Sequence, residues 1–226
     1  EHYKLDTPSG NSYGYLGLNM RDPLLSDRRV RQALTFALDK NTLLNTLTYD
    51  LAKPVQSPVH LSMPYYNHDL PPYSYNLDTA KKLLAEAGWT MGSEFLEKEI
   101  DGKVEELKLS FKYSKSKNAE EIGKSLKRSL NSLGIGLVME TREWTVLLEE
   151  VAKRDFQILY MGWVKDPGLD DFKQLWHTES YKNAGSNLVG FGDAESDALI
   201  DSIRGELDET KRNAMYKEFQ AILHRV

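Results

Sequence analysis

The chain has 226 residues, 40% of them hydrophobic and 28% charged, which suits one large globular domain or two small ones. Its net charge of -5 argues against general nucleic-acid binding, because neutralising phosphates needs a basic surface. With no cysteine, disulfides, zinc–thiolate sites and cysteine nucleophiles are excluded, and no apolar run approaches the roughly 20 residues of a membrane span.

Tyr13 to Met20 reads as a strand interrupted by glycines. Ser26 is the expected N-cap of a helix carrying Val30, Ala33, Leu34, Ala37 and Leu38 at helical spacing. Leu43, Leu44 and Leu47 suggest a second, short helix. Pro54 to Tyr75 holds five prolines and many tyrosines, so it is a long non-helical loop that is either functional or packed across a surface. Asp78 is placed as the cap of the next helix, which stops at Gly88.

Asp101-Gly102 predicts a hairpin turn between Glu97–Ile100 and a long second arm, Lys103–Tyr113. A helix follows with Ile122, Leu126, Leu130 and Leu133, then a strand from Ile135 to Thr141. Trp144, Leu147, Leu148 and Val151 form the next helical face. Phe156 to Trp163 is nearly all apolar, as a strand covered on both faces should be. Leu107 to Trp163 is therefore a βαβαβ unit, the mark of an α/β sheet with right-handed crossovers. Trp176 to Phe191 reads as loop, before a helix capped by Asp193 and a last helix with Met215, Tyr216, Phe219, Ile222 and Leu223. The start lacks an apolar leader, and the last helical pattern runs uncapped to Val226. Together they lead us to expect a segment of a longer chain.

Little in the sequence speaks for catalysis or metal binding. The five histidines lack metal-site spacing and read as surface or loop residues. No nucleophile elbow, phosphate loop or dinucleotide fingerprint is present. Asp170-Asp171 reads as a helix start or a solvated pair. The position that stands out is the end of the most apolar strand, because ligands of open α/β sheets bind beyond the carboxyl ends of the strands. There Gly162 and Trp163 are followed by Val164, Lys165, Asp166 and a Pro167-Gly168 turn, which sets an aromatic plate and a carboxylate at the edge of a crevice. Trp163 can equally pack into a core, and Asp166 can equally cap the loop.

The order of motifs adds to this. Asp27 to Lys40 (DRRVRQALTFALDK) resembles the D-x-R-V-R-Q-A-x-x-x-A-I-D-K signature of the family 5 solute-binding proteins. Tyr75 to Trp89 is similar to their Y-x-x-x-x-A-K-x-L-L-x-E-A-G helix, and Leu133-Gly134-Ile135 with Trp144 to a later unit. Gly162-Trp163-Val164-Lys165-Asp166 matches their G-W-x-x-D crevice segment, and Asn187 to Ile200 resembles a late stretch. The resemblance runs from about Tyr13 to the end.

The resemblance implies one lobe of a type II periplasmic-binding-protein fold, a mixed α/β sheet flanked by helices. Residues 1–226 would be a single lobe, the second of a bilobal protein. It implies a substrate-binding component of an ABC importer that captures peptides or similar small solutes between two hinged lobes. Such a protein is not an enzyme and uses no cofactor or metal. It works outside the cytoplasm, periplasmic or lipid-anchored, as a monomer that delivers its ligand to a membrane permease, with no role for nucleic acid. The implied ligand-binding residues are Gly162, Trp163, Val164 and Asp166, with Asp166 pairing with a free α-ammonium. The charged face of Arg28 to Lys40 would be structural, or would dock the importer. Pro167-Gly168-Leu169-Asp170-Asp171 replaces the family's usual turn ending in Asp-Pro, which leaves ligand length and class open. Two other readings remain: the sensing domain of a transcriptional regulator with the same fold, and a hydrolase fragment using Asp166, Asp170 and Asp171.

Overall fold

The structure is a computed structural model that describes residues 10–49, 51–164, 170–182 and 185–226. Strand β1 (Ser12–Leu18) leads to helices α1 (Arg28–Phe36), α2 (Lys40–Thr48) and α3 (Leu77–Glu86). A small antiparallel sheet follows, made of β2 (Thr90–Met91), β3 (Leu96–Ile100) and β4 (Lys103–Glu106). Then come β5 (Lys108–Ser114), α4 (Lys117–Ser132), β6 (Gly136–Arg142), α5 (Trp144–Ala152) and β7 (Ile158–Val164). The chain closes with α6 (Phe172–Trp176), α7 (Thr178–Lys182), α8 (Ala194–Gly205) and α9 (Glu209–Arg225).

The main sheet has the order β1-β7-β5-β6. β5 pairs in parallel with both β6 and β7, as the βαβαβ reading requires, and β1 runs antiparallel along β7. One face is covered by α1, α3 and α4. There Val30, Ala33, Leu84, Leu126 and Leu130 pack on Leu109, Phe111 and Ile158 of the strands. The opposite face receives α5, whose Leu147 and Val151 pack on Leu159. A second core joins α6, α8 and α9 to the proline-rich loop through Val59, Tyr65, Tyr66, Phe172, Ile200 and Phe219.

Several elements differ from the sequence reading. Asp27, not Ser26, caps α1, accepting from the Arg29 N–H. Asn76 caps α3, and Asp78 lies in its first turn. The hairpin turn forms with positive φ at Asp101 and Gly102, but its second arm divides at Leu107. The Leu107 N–H donates to Leu96 and its carbonyl accepts from Gly136, so the chain leaves one sheet and enters the other. Within Trp176 to Phe191, expected as loop, Thr178–Lys182 forms α7. In α5 only Leu147 and Val151 are buried, whereas Trp144 and Leu148 are exposed. β7 is buried on both faces at Ile158 and Leu159 but partly open from Tyr160 onward.

The proline-rich loop packs across α9. Gln220, fully buried, accepts from the Ser57 hydroxyl (2.8 Å) and the Asn67 N–H (3.0 Å) and donates to the Tyr65 carbonyl (2.7 Å). The signature helix α1 has a structural task at the far end of α9. Arg31 is buried and donates to the carbonyls of Leu25 (2.8 Å), Ser26 (2.7 Å) and Val226 (3.1 Å), while Gln32 donates to Arg225 (3.1 Å).

Gly123 of α4 shows how tightly this face is packed. A Cβ there would sit 2.7 Å from the Met139 methyl and 2.8 Å from the Phe111 ring, which is fully buried. Alanine would gain about 1 kcal/mol in helix propensity, but overpacking costs about 1–3 kcal/mol. Gly123→Ala should therefore lower stability by about 1 kcal/mol in urea unfolding. A gain in stability would show that the α4–sheet contact is looser than described.

Candidate functional site

Parallel pairing places the carboxyl ends of β5, β6 and β7 along one edge of the sheet. Phe111 pairs with Ile158 and Lys112 with Leu159, so Ser114 is level with Met161. Gly162, Trp163 and Val164 thus continue past the end of β5, with β1 as their ladder partner: Gly14 lies opposite Gly162, Tyr13 opposite Trp163 and Ser12 opposite Val164. This two-stranded ribbon forms the rim. Val164 is 70% exposed and Trp163 half-buried. Directly opposed residues share a face, and alternation puts Tyr13, Tyr15, Met161 and Trp163 on the side that α5 covers lower down. The Tyr13 and Tyr15 rings lie 6.0 Å apart. On the opposite side the Tyr160 ring folds over Gly14, its hydroxyl only 3.0 Å from where a Cβ would stand. That close approach accounts for one of the glycines interrupting β1.

Of the residues expected to bind ligand, the structure brings Gly162, Trp163 and Val164 to the rim. Asp166 lies outside the described residues. The segment that holds it is flanked by Val164 on one side and Asp170 on the other. Asp170 is held by two tyrosines. The Tyr65 hydroxyl donates to its carboxylate (3.2 Å) and accepts from its N–H (3.3 Å), and the Tyr216 hydroxyl donates to its carbonyl (2.7 Å). The Asp170 charge is felt at the rim itself: Tyr13 is shifted above the usual tyrosine range by burial first, then by Tyr15 and Asp170. Burial and Asp170 also push the Tyr65 phenol up, and push that of Tyr216 up to about 12. Asp171 is the helix start expected of it, capping α6 through the Lys173 N–H.

Beside the ribbon, at the ends of β5 and β6, an open cavity of about 440 Å³ is lined by Tyr113, Lys115, Ser116, Glu120, Thr141 and Glu143. Glu120 pairs with Lys124 (2.8 Å), which holds its carboxyl below the usual range. Lys115 makes no ion pair or hydrogen bond among the described residues. Sequence reasoning missed Tyr13 and Lys115, and it read Asp170 as a helix start, a solvated residue or part of a hydrolase site. The signal available was the position of Tyr13 and Lys115 at strand ends, where crevices form in α/β sheets.

Away from the rim, one loop histidine, between α6 and α7, is not at the surface. His177 is buried, with Asp197, Asp201 and Glu179 oxygens 3.6–4.0 Å from its ring nitrogens, where α6, α7 and α8 meet. Among the described residues no group of three His, Asp or Glu is arranged to hold a metal ion, and no helix is long and apolar enough to cross a membrane.

An α/β sheet with helices on both faces and an open, aromatic rim at its carboxyl edge defines one lobe of a periplasmic-binding-protein fold. The chain belongs to the bacterial extracellular solute-binding proteins, family 5, whose middle portion matches residues 1–186. It is 32% identical to the oligopeptide-binding protein AppA of Bacillus subtilis over 99% of its own length and 41% of that protein's. It is 28% identical to the dipeptide-binding protein of Escherichia coli, over 95% of its own length and 39% of that protein's. It is 27% identical to the nickel-binding periplasmic protein of the same organism, over 92% of its own length and 40% of that protein's. The solved structure of B. subtilis AppA in complex with a nonapeptide superposes with a TM-score of 0.87 and 28% identity, covering 96% of this chain and 43% of that one. The chain thus spans about two-fifths of the length of the relatives it matches.

The tyrosine shifts fix a pH dependence. The Tyr216 phenol ionises near 10.0 when unfolded but only at about 12 when folded, so its contribution to stability is whole below pH 10 and is lost as pH rises towards 12. Urea unfolding should show stability falling across that window. Tyr216→Phe should be about 1 kcal/mol less stable at neutral pH but fall less steeply above pH 10. Identical slopes would contradict the buried, Asp170-facing phenol.

Proposed function

We propose that this chain is the second lobe of a bilobal solute receptor, and that the receptor captures peptides with a free α-amine between its lobes. One observation carries this reading. Gly162, Trp163 and Val164 stand at the carboxyl rim of the sheet, past the end of β5 and paired with Gly14, Tyr13 and Ser12. Asp166 is the acidic residue of the G-W-x-x-D segment, so it takes the ligand's ammonium, and Gly162, Trp163 and Val164 contribute from the rim. Main-chain groups at the exposed end of β7 bind the peptide backbone as an added strand would, which explains tolerance of side chains. The cavity on the neighbouring strand ends leaves room for the rest of the ligand, and Lys115 offers it a cation.

Peptide is favoured over nickel chelate for two reasons. The B. subtilis oligopeptide-binding relative shares 32% identity with this chain, against 27% for the nickel-binding one. The rim also presents the aromatic side chains of Tyr13, Tyr15 and Trp163, apolar plates suited to a peptide. The receptor works outside the cytoplasm, periplasmic or lipid-anchored. It closes by a hinge and hands its ligand to the permease of an ABC importer, acting as a carrier and not as a catalyst.

In the full-length protein, Asp166→Ala should weaken binding of unprotected oligoalanine peptides. Removing one partner of a desolvated ion pair costs about 2–5 kcal/mol, which is roughly 30-fold or more in Kd. Isothermal calorimetry reads this directly. Unchanged affinity, or no binding of any oligoalanine by the unsubstituted protein, contradicts the reading.

A further inference from the structure

Helix α4 leaves the carboxyl edge of the sheet and turns one face to solvent. Ser116 caps it, and Ser116 and Glu120 line the cavity at the ends of β5 and β6. Its inner face, with Ala119, Gly123, Leu126 and Leu130, is buried. Lys117, Lys124, Lys127 and Arg128 are exposed on the outside. Lys117, Lys124 and Arg128 recur at the spacing of one helical face, and Lys127 stands beside them. At 1.5 Å per residue, the stripe from Lys117 to Arg128 is about 16 Å long.

Two carboxylates share this face, and one lysine engages both. Lys124 pairs with Glu120 at 2.8 Å and with Glu121 at 3.0 Å, the contacts expected one turn apart. The side chains of Lys117, Lys127 and Arg128 make no ion pair or hydrogen bond among the described residues. The face is thus cationic on a chain whose net charge is -5. The signature helix α1 differs, because its cations are engaged within the lobe. Arg29 is held by Asp27 at 2.6 Å, and Arg31 is buried on backbone carbonyls.

Placement adds to charge. A receptor that hands its ligand to a permease brings the mouth of its binding site to that permease, so the docking surface borders the ligand cavity. The outer face of α4 does so from its first turn. Exposed charges at the edge of an interface steer encounter and set register, and uncompensated cations select a surface of the opposite sign.

We propose that the exposed face of α4 is the surface on which the membrane permease docks, with Lys117, Lys127 and Arg128 meeting an acidic segment of the permease. This rests on the receptor reading above and adds to it the surface through which the ligand is delivered.

The test follows uptake of radiolabelled oligoalanine by cells whose own full-length receptor is replaced by a variant. Lys117→Glu, Lys127→Glu and Arg128→Glu together should lower uptake about tenfold or more, since like charges across an interface repel. Lys117→Gln, Lys127→Gln and Arg128→Gln together remove the attraction without adding repulsion and should lower it about threefold. The calorimetric affinity for oligoalanine and the melting temperature of the purified full-length protein should not move. Lys211→Glu with Lys217→Glu changes two exposed lysines of α9 and controls for net charge, so uptake should hold. Unchanged uptake in the glutamate variant overturns the proposal, as does an equal loss in the α9 control. A weakened affinity would place the stripe in the ligand site, and a lowered melting temperature would mean that another part of the receptor covers it; either overturns docking. Binding to phosphatidylglycerol vesicles that the glutamate variant loses would assign the face to the membrane, and a dimer that it dissociates would assign it to a second copy, each against the permease. In all these cases the receptor reading stands. If deleting the receptor leaves oligoalanine uptake unchanged, that reading fails and the docking surface falls with it.

Discussion

The parallel alignment of β5, β6 and β7 is the constraint on which the rest depends. Parallel strands need crossovers, and right-handed crossovers place α4 and α5 on opposite faces of the sheet. Every chain segment leaving one of these three strands then emerges at the same edge. β1, entering antiparallel, pairs along the whole of β7 and lets that strand outrun β5 by three residues. Without β1, Gly162 to Val164 would have no ladder partner and could not stand as a rim. The glycines in β1 belong to the same arrangement, since Gly14 makes way for the Tyr160 ring.

A second layer stiffens what the sheet positions. The proline-rich loop, α6, α8 and α9 form their own core. Several contacts join them to the sheet layer. The Met20 N–H donates to the Val189 carbonyl beside β1, and the Tyr73 ring of the proline-rich loop meets Phe36 of α1 edge-on. Arg31 and Gln32 of the signature helix donate to the Val226 and Arg225 carbonyls. The family signature is thus explained by architecture: Arg31 is buried because its guanidinium fork satisfies three carbonyls at once, which a lysine ammonium would match poorly.

Much of this was legible in the sequence because local signals agreed with the global fold. The alternation of Leu109, Phe111 and Tyr113, the apolar run at Ile158 and Leu159, and the glycine stops after α3 and α4 fixed the sheet and its crossovers. Errors fell where tertiary contacts decide. Ser26 and Asp27 are both good caps, and only the Arg29 geometry selects the second. Leu107 alternates in step with β5, yet it marks the boundary between two sheets. Trp144 and Leu148 sit on a helical face, but α5 turns only Leu147 and Val151 onto the sheet and leaves these two exposed. At the site, Gly162, Trp163 and Val164 could be read because a strand end is a local feature. The hydrogen bonds from Tyr65 and Tyr216 to Asp170 could not, since the partners are separated by 105 and 46 residues.

The central claim is that ligand is held at the carboxyl edge of this sheet. Hydrogen-exchange mass spectrometry of the full-length protein, with and without its best-bound oligoalanine, addresses it most directly. The account predicts ligand-induced protection in peptides covering the end of β7 and the ends of β5 and β6, with the opposite edge, around Asn19 and Gln157, unchanged. Protection confined to that opposite edge, with the rim exchanging as before, would contradict it.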